Sequence, residues 1–268
     1  MIEVVDLVHV YPSGTRALDG VSLRIAAGER VAIVGQNGSG KSTLVRHFNG
    51  LLRPTEGRVL VDGRDAAGRR VAELAATVGL AFQDPDRQIF AGKVRNEVAF
   101  GPRNLGRRGA ELDAAVDAAL AATGLDGEAA TNPYDLGYSR RKLLALASIL
   151  AMGTPVVVLD EPTTGQDARG VARVQSIVAG LAAEGRTIVA ISHDMRFVAE
   201  SFDRIVVMRA GTVDLDGSPA EVFGRDAWAT LAATYLEPPL PARVGAELGL
   251  ATPTQAALIE ALAAAARR

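Results

Sequence analysis

The eight residues Gly35-Gln36-Asn37-Gly38-Ser39-Gly40-Lys41-Ser42 constrain the fold of this chain more than any other stretch. The compact apolar run Arg30-Val31-Ala32-Ile33-Val34 precedes them and reads as a strand. Lys41 to Asn49 follows and reads as a helix that Gly50 stops. Glycines at 35, 38 and 40 let the backbone curl until successive N–H groups point at one centre. The helix behind them brings the positive end of its dipole to the same place. A strand, a glycine loop ending in Lys-Ser and a helix therefore form a cradle for phosphate. Lys41 reaches the β- and γ-phosphates of a nucleoside triphosphate, and the Ser42 hydroxyl is a ligand for Mg²⁺. By itself the loop does not separate an ATPase from a kinase or a GTPase.

A second apolar run, Val156-Val157-Val158-Leu159, ends in Asp160-Glu161. An unbroken apolar strand is expected where both faces are covered, as in the centre of a parallel sheet. An acid at its carboxyl end lies where the Mg²⁺ of a bound nucleotide sits, which makes Asp160 the metal candidate. Glu161 is placed to orient and deprotonate the attacking water. Composition removes several other chemistries. With 29 Lys plus Arg against 31 Asp plus Glu, the net charge of −2 leaves no cationic excess to hold nucleic acid by phosphate neutralisation. There is no Cys, so disulfides, thiol nucleophiles, zinc ribbons and iron–sulfur clusters are excluded together. The mean hydropathy is +0.15, yet the longest nearly apolar stretch, Leu143 to Met152, falls well short of the roughly 20 residues a span needs. The start, MIEVVDLVHV, carries Glu3 and Asp6 and no basic segment, so no signal peptide is expected.

Along the chain, Ile2 to Leu7 and Gly20 to Ile25 read as strands ahead of the phosphate loop, and Val59 to Gly63 and Thr77 to Phe82 as strands behind it. From about Asp84 to Ala151 strand signals vanish and helical periodicity takes over, as in Ala110 to Ala122 and Arg140 to Ala151. The alternation then resumes: Pro155 to Asp160, a helix Ala168 to Ala183, a strand Thr187 to Ile191, a short helix Asp194 to Glu200, and a hairpin about Ala210-Gly211. Strands alternating with helices predict an α/β fold with a mostly parallel sheet covered on both faces, interrupted by a helical insertion. After about Arg225 the chain turns Ala-rich, is broken by Pro238, Pro239 and Pro241, and ends in a helical run from Thr254 to Arg268.

These motifs, in this order, resemble the ATP-binding subunit of ATP-binding cassette (ABC) transporters over residues 1 to 224. Gly35 to Thr43 looks like the Walker A loop, and Gln83 like the Q-loop glutamine. Asp160-Glu161-Pro162-Thr163 looks like Walker B with its catalytic glutamate, Gly165-Gln166-Asp167 resembles the D-loop, and His193 in Ile191-Ser192-His193-Asp194 looks like the switch histidine. Tyr11 stands where the family places an aromatic that stacks on adenine. The resemblance implies a P-loop ATPase fold with N-terminal antiparallel strands and a helical subdomain inserted at about 84–151, and ATP with Mg²⁺ as its ligands. It implies that Gln83 touches Mg²⁺ or the attacking water, that His193 contacts the γ-phosphate, and that Asp167 lies between two ATPase subunits.

One segment departs from the family. Its signature, LSGGQ, is expected before the helix at Arg140, and Leu136-Gly137-Tyr138-Ser139-Arg140 stands there. In the family this loop of one subunit contacts the γ-phosphate held by another. Here Gly137 lacks the hydroxyl of the family's serine, Tyr138 is bulky where backbone approaches phosphate, and Ser139 is the substitute source of a hydroxyl. A slower or rearranged composite site is the expectation, accommodated by a pair of unequal subunits or by a homodimer.

Phe82-Gln83-Asp84-Pro85-Asp86-Arg87-Gln88-Ile89-Phe90 resembles the segment after the Q-loop in the ATPases of energy-coupling factor (ECF) transporters, which import vitamins and transition metals. The resemblance places Gln88 in a groove that receives a helix of a transmembrane coupling subunit. Residues 225–268 look like the short extension by which such ATPases pair, with Leu248, Leu250, Leu258, Ile259 and Leu262 as its apolar face. The implied partners are a second ATPase subunit, the coupling subunit and a membrane substrate-binding subunit, with the chain peripheral on the cytoplasmic face of the cell membrane. A conventional ABC transporter subunit and a soluble non-transport ABC ATPase stay open as alternatives.

Overall fold

The computed structural model describes residues 1–267, so Arg268, the expected end of the last helix, lies outside the described residues. Strands β1 (Ile2–Val10) and β2 (Arg16–Ile25) form a hairpin, β3 (Arg30–Val34) starts a second sheet, and helix α1 (Lys41–Phe48) follows the phosphate loop. Next come β4 (Glu56–Val61), β5 (Arg64–Asp65), α2 (Val71–Ala75) and β6 (Val78–Ala81). Helices α3 (Val94–Asn104), α4 (Gly109–Thr123) and α5 (Tyr138–Met152) precede β7 (Val156–Asp160). Then follow α6 (Ala168–Ala183), β8 (Thr187–Ile191), α7 (Met195–Ser201), β9 (Arg204–Arg209) and β10 (Thr212–Gly217). Helices α8 (Pro219–Val222), α9 (Trp228–Ala233), α10 (Leu240–Glu247) and α11 (Gln255–Ala265) end the described chain.

The first sheet has the order β2-β1-β4-β5 and is antiparallel throughout. The second has the order β10-β9-β3-β8-β7-β6 and is parallel except where β10 returns along β9. Successive side chains of a strand point to opposite faces, and both faces here are covered. Val31, Ile33, Val156, Val158, Val189 and Ile191 pack with the antiparallel sheet and α1. Their neighbours Ala32, Val34, Val157, Leu159, Ile188 and Ala190 pack with α3 to α6 on the other side. That double burial is why β3, β7 and β8 are apolar at nearly every position.

Several boundaries differ from the sequence reading for identifiable reasons. β1 and β2 run longer than expected because their register shifts three times between Val4 and Val10, which lets pairing continue past the polar Asp6 at φ 46°. α2 and β5 are too short to show any periodicity. The Ala210-Gly211 hairpin forms as expected, with both residues at positive φ. The tail divides in two. Leu231, Leu236 and Ala242 join the helical core, and Trp228 Nε1 donates to Phe223 O at 2.9 Å. α11 buries none of its residues, so of the expected apolar face Leu248, Ile259 and Leu262 are exposed while Leu250 and Leu258 are half-buried.

Candidate active site

Because β3, β8 and β7 are parallel neighbours, their carboxyl ends share one edge of the sheet. β3 delivers the phosphate loop there, β7 delivers Asp160 and Glu161, and β8 delivers His193. This is the edge where open α/β sheets place ligands. The loop needs its glycines. Gly35 has φ 148°, and a Cβ on it would lie 2.1 Å from Met208 O; Gly40 has φ 102°, and a Cβ on it would lie 2.5 Å from Ala17 O. The loop is thereby wedged between β9 and β2, with Gly40 capping α1.

A cavity of about 340 Å³ opens over the loop. It is lined by Tyr11, Asn37, Gly38, Gly40, Lys41, Ser42, Thr43, Gln83, Asp160, Glu161 and His193, which gathers most of the residues singled out from the sequence. Gly35, Gln36 and Ser39 shape the loop from beneath: Lys41 Nζ donates to Gly35 O at 2.6 Å and to Gln36 O at 2.9 Å, and Ser39 O accepts from Gly211 N at 3.1 Å. The Tyr11 hydroxyl lies 3.0 Å from Thr43 Oγ1. Thr15, Arg16 and Ala17 also line the cavity and were not anticipated. Only their position just after Tyr11 hinted at them. A separate cavity of about 380 Å³, lined largely by alanines of α4 and by α6, holds none of these groups.

The electrostatics suit proton transfer. Burial raises the Glu161 carboxyl above the ordinary carboxylate range, opposed by hydrogen bonds that include Thr164 Oγ1 to Oε2 at 3.1 Å. Burial likewise raises Asp160, opposed by the Ser42 hydroxyl and by Arg46, Lys41 and Lys142. Burial lowers Lys41, opposed by Glu161 and Asp160, and burial with nearby Lys41 lowers His193. His193 Nε2 approaches Glu161 Oε1 to 3.0 Å, without the alignment of a hydrogen bond, so Oε1 has no directed donor. A carboxyl raised by burial is a stronger base once deprotonated. The buried Asp160 Oδ1 also has no partner. With the Ser42 hydroxyl and the Gln83 amide on the same cavity, it offers the hard oxygen donors Mg²⁺ takes. Among the described residues no three His, Cys, Asp or Glu cluster as a metal cage, and Mg²⁺ on a nucleotide needs only one or two carboxylates beside the phosphates.

Other anticipated residues stand apart from this cavity. Gly137 caps α5, Leu136 is buried, and the exposed Tyr138 ring lies against Gly165, where a Cβ would meet it at 2.9 Å. Ser139 is not a free hydroxyl donor: its Oγ donates to Gln166 Oε1 of the same chain at 2.6 Å. Arg140 Nη2 donates to Gly124 O at 2.9 Å and pairs with Glu128. Asp167 caps α6 through Gly170 N at 2.7 Å. Gln88 differs from its expected role in an open groove. Its Oε1 accepts from Phe82 N at 3.1 Å, and its Nε2 donates to Ala145 O at 2.7 Å and Ser148 Oγ at 2.9 Å. The amide is therefore an internal brace between the Q-loop and α5. The exposed feature beside it is the edge-to-face pair Phe90 and Phe100, 4.7 Å apart.

Behind the Tyr11 side of the cavity lies a buried imidazole pair, His9 and His47. His47 Nδ1 lies 2.8 Å from Thr43 O, and His47 Nε2 lies 3.2 Å from His9 Nδ1. Donation to the carbonyl fixes the proton of neutral His47 on Nδ1 and leaves Nε2 an acceptor facing His9 Nδ1, which also lies 3.1 Å from Arg53 O. Burial lowers the His47 pKa from 6.5. A histidine depressed in the fold takes up its proton more readily when unfolded, so its contribution is fully present above about pH 6.5 and is lost as pH falls through the folded value. The urea midpoint is expected to fall between about pH 7.5 and 5.5, and His47→Asn to flatten that fall. An unchanged slope in the variant would assign the acid sensitivity elsewhere.

Comparison with known proteins agrees with this geometry. The family model described as ABC transporter matches residues 18–164. The energy-coupling factor transporter ATP-binding protein EcfA of Methanocaldococcus jannaschii is 43% identical over 225 residues, covering 83% of this chain and 81% of that protein. The chain spans 39% of a longer relative, a putative ABC transporter ATP-binding protein of Caldanaerobacter subterraneus, at 44% identity over 83% of its own length. Among solved structures, cbiO1 from Clostridium perfringens, described as part of the ABC transporter complex cbiONQ, superposes with a TM-score of 0.76 at 36% identity, covering 93% of this chain and 98% of that one. A dimeric ATP-binding cassette in a post-hydrolysis state with ADP and Pi superposes with a TM-score of 0.75 at 26% identity, covering 81% and 98%. With a phosphate loop, a buried acid pair and a histidine on one sheet edge, and with this breadth of likeness, the chain belongs to the ABC transporter family of ATP-binding proteins.

Proposed function

We propose that this chain is the ATP-binding and ATP-hydrolysing subunit of an energy-coupling factor type importer, powering uptake of a vitamin or transition-metal ion through separate membrane subunits. The observation that carries the reading is the convergence of Lys41, Asp160, Glu161 and His193 on one cavity above the phosphate loop. Glu161 deprotonates the attacking water, and Lys41 and His193 face the charge that gathers on the γ-phosphoryl group. Ser42, Asp160 and Gln83 would hold Mg²⁺, which would supply neutralisation of phosphate charge. The relatives named above supply the ECF branch.

In this reading residues 1–224 are the ATPase cassette, 84–151 its helical subdomain, and 225–268 a pairing extension. A partner ATPase, identical or unequal, is the one whose nucleotide Leu136 to Arg140 and Asp167 are assigned to in this reading, which their position off the chain's own cavity supports. Among the described residues no helix is long and apolar enough to cross a membrane. In this reading the chain works peripherally on the cytoplasmic face, against a transmembrane coupling subunit and a substrate-binding subunit, and not on nucleic acid. Phe90 and Phe100, 58% and 47% exposed, are the apolar surface offered to the coupling subunit.

The test is to tag the chain, extract membranes in mild detergent and identify what co-purifies. A helical coupling subunit and a small hydrophobic binding subunit are expected. Phe90→Ser with Phe100→Ser should lower their recovery roughly tenfold or more while nucleotide binding by the chain holds. Recovery of soluble partners alone, where control complexes survive, would overturn the importer reading.

A further inference from the structure

Lys142 is a buried charge to which the site as described gives no role in the chemistry. It sits on the second turn of α5, only 6% exposed, and does not line the nucleotide cavity. Its surroundings are Phe82, Leu143, Leu146, Leu159, Pro162 and Val174, with Asp160 the one charged neighbour among them, a largely apolar setting that is costly for an ammonium without a strong acceptor. The acceptor is the backbone carbonyl of Glu161. Burial lowers the Lys142 pKa, opposed by Glu161, Asp160 and Asp84, so this cation and Lys41 both act on the same acid pair.

The carbonyl it holds belongs to an unusual residue. Glu161 has φ 54°, a left-handed conformation that side chains other than glycine rarely adopt and that costs about 1–2 kcal/mol. Such a conformation persists where its surroundings over-determine it. Both peptides of Glu161 are held: its N–H donates to Ile191 O at 2.9 Å, on β8, and its C=O accepts from Lys142, on α5. The turn that follows is held to the same helix. Ser139 Oγ donates to Gln166 Oε1 at 2.6 Å, and Gln166 Nε2 donates back to Ser139 O at 3.0 Å. Residues 161–166 are thus tied to the start of α5 at both ends, and that start carries the signature segment Leu136 to Arg140.

We propose that Lys142 is a positioning residue for Glu161: by holding the Glu161 carbonyl it fixes the aim of the base and couples it to the placement of α5. When the first turn of α5 docks on a partner chain's nucleotide, the displacement passes through Lys142 to the base of this chain's own site. The inference rests on Glu161 being the base.

The test uses the full chain in its co-purified complex, with steady-state ATP turnover and equilibrium binding of Mg-ATP read separately. Lys142→Met keeps the stem and deletes the donor. Misplacing a reacting group by about 1 Å costs up to about 10²-fold, so kcat is expected to fall about 10–100-fold while KM and ATP affinity stay within about twofold. Lys142→Arg, which keeps a cationic donor, should recover most of kcat. In a Glu161→Gln background Lys142→Met should add no further loss. Unchanged kcat, a parallel loss of affinity, or a full extra loss in that background would each overturn the proposal. If the methionine variant does not fold, Lys142→Gln carries the same split: reduced kcat with unchanged affinity supports the tie, and equal losses refute it. Failure of the base assignment is separable, because Glu161→Gln alone would then leave turnover intact.

Discussion

Glu161→Gln is expected to lower ATP turnover of the assembled complex by about 10²–10⁴-fold, the range a positioned general base supplies. The substitution keeps shape and volume. A glutamine oxygen still accepts from Thr164 Oγ1, and the backbone ties to Ile191 and Lys142 do not involve the side chain. The lost property is the ability to take a proton. Burial already raises the Glu161 carboxyl, and its neighbour Asp160 raises it further. A neutral amide removes that repulsion, so Mg-ATP affinity should hold or improve and the ATP-bound form should accumulate. The pH dependence gives an independent sign. Wild-type activity should rise with pH through a carboxyl lifted above its ordinary 4.5, and the residual activity of the variant should lack that limb. Turnover within about twofold of wild type, measured as phosphate release at saturating ATP, would place the base elsewhere.

How much of this site was legible in the sequence depended on whether a function resides in local backbone. The phosphate loop was fully readable, because Gly35 and Gly40 are required by contacts with Met208 O and Ala17 O that no other residue permits. The apolar run before Asp160 marked a strand buried on both faces, and β7 forms over that range. Thr187 to Ile191 and Ala168 to Ala183 likewise stand where periodicity placed them. Side chains that act across the fold were not readable. Lys142 looks like a surface lysine in a row of basic residues, and only the packing of α5 beneath Glu161 shows it to be buried. Gln88 was identified from its motif, but its partners, Phe82, Ala145 and Ser148, lie up to 60 positions away, so its inward orientation left no trace. Gly137-Tyr138-Ser139, which departs from the family pattern, and Gln166, in the segment resembling the D-loop, read as unrelated in the sequence. In the fold they meet: the Tyr138 ring fills the space over Gly165, and Ser139 and Gln166 hydrogen-bond each other. The two segments therefore brace each other within the chain.

Lys41→Met should move binding and stability in different directions, which separates phosphate recognition from folding. Hydrogen bonds to charged groups are worth about 1.5–3 kcal/mol each. Loss of Lys41 contacts to both the β- and γ-phosphates therefore predicts an affinity for Mg-ATP lower by about 10²–10⁴-fold. The free chain should behave otherwise. Burial depresses the Lys41 pKa despite the attraction of Glu161 and Asp160, so the fold disfavours this cation more than the two carboxyls favour it. Methionine matches its stem, fills the same volume and carries no charge. Exchanging a buried charged group for an apolar one of similar size is often neutral or stabilising, although the carbonyls of Gly35 and Gln36 lose a donor. The thermal midpoint without nucleotide should therefore change little or rise. Addition of Mg-ATP should raise it in the wild type, as any ligand of the native state does, and leave the variant unmoved. The measurement is a pair of melts with and without about millimolar Mg-ATP, a concentration well above the affinity of a working nucleotide site. A variant that melts far below wild type without nucleotide would mean that Lys41 is a structural pillar of the loop. A variant still stabilised by Mg-ATP would mean that the backbone cradle and the α1 dipole hold the triphosphate without it.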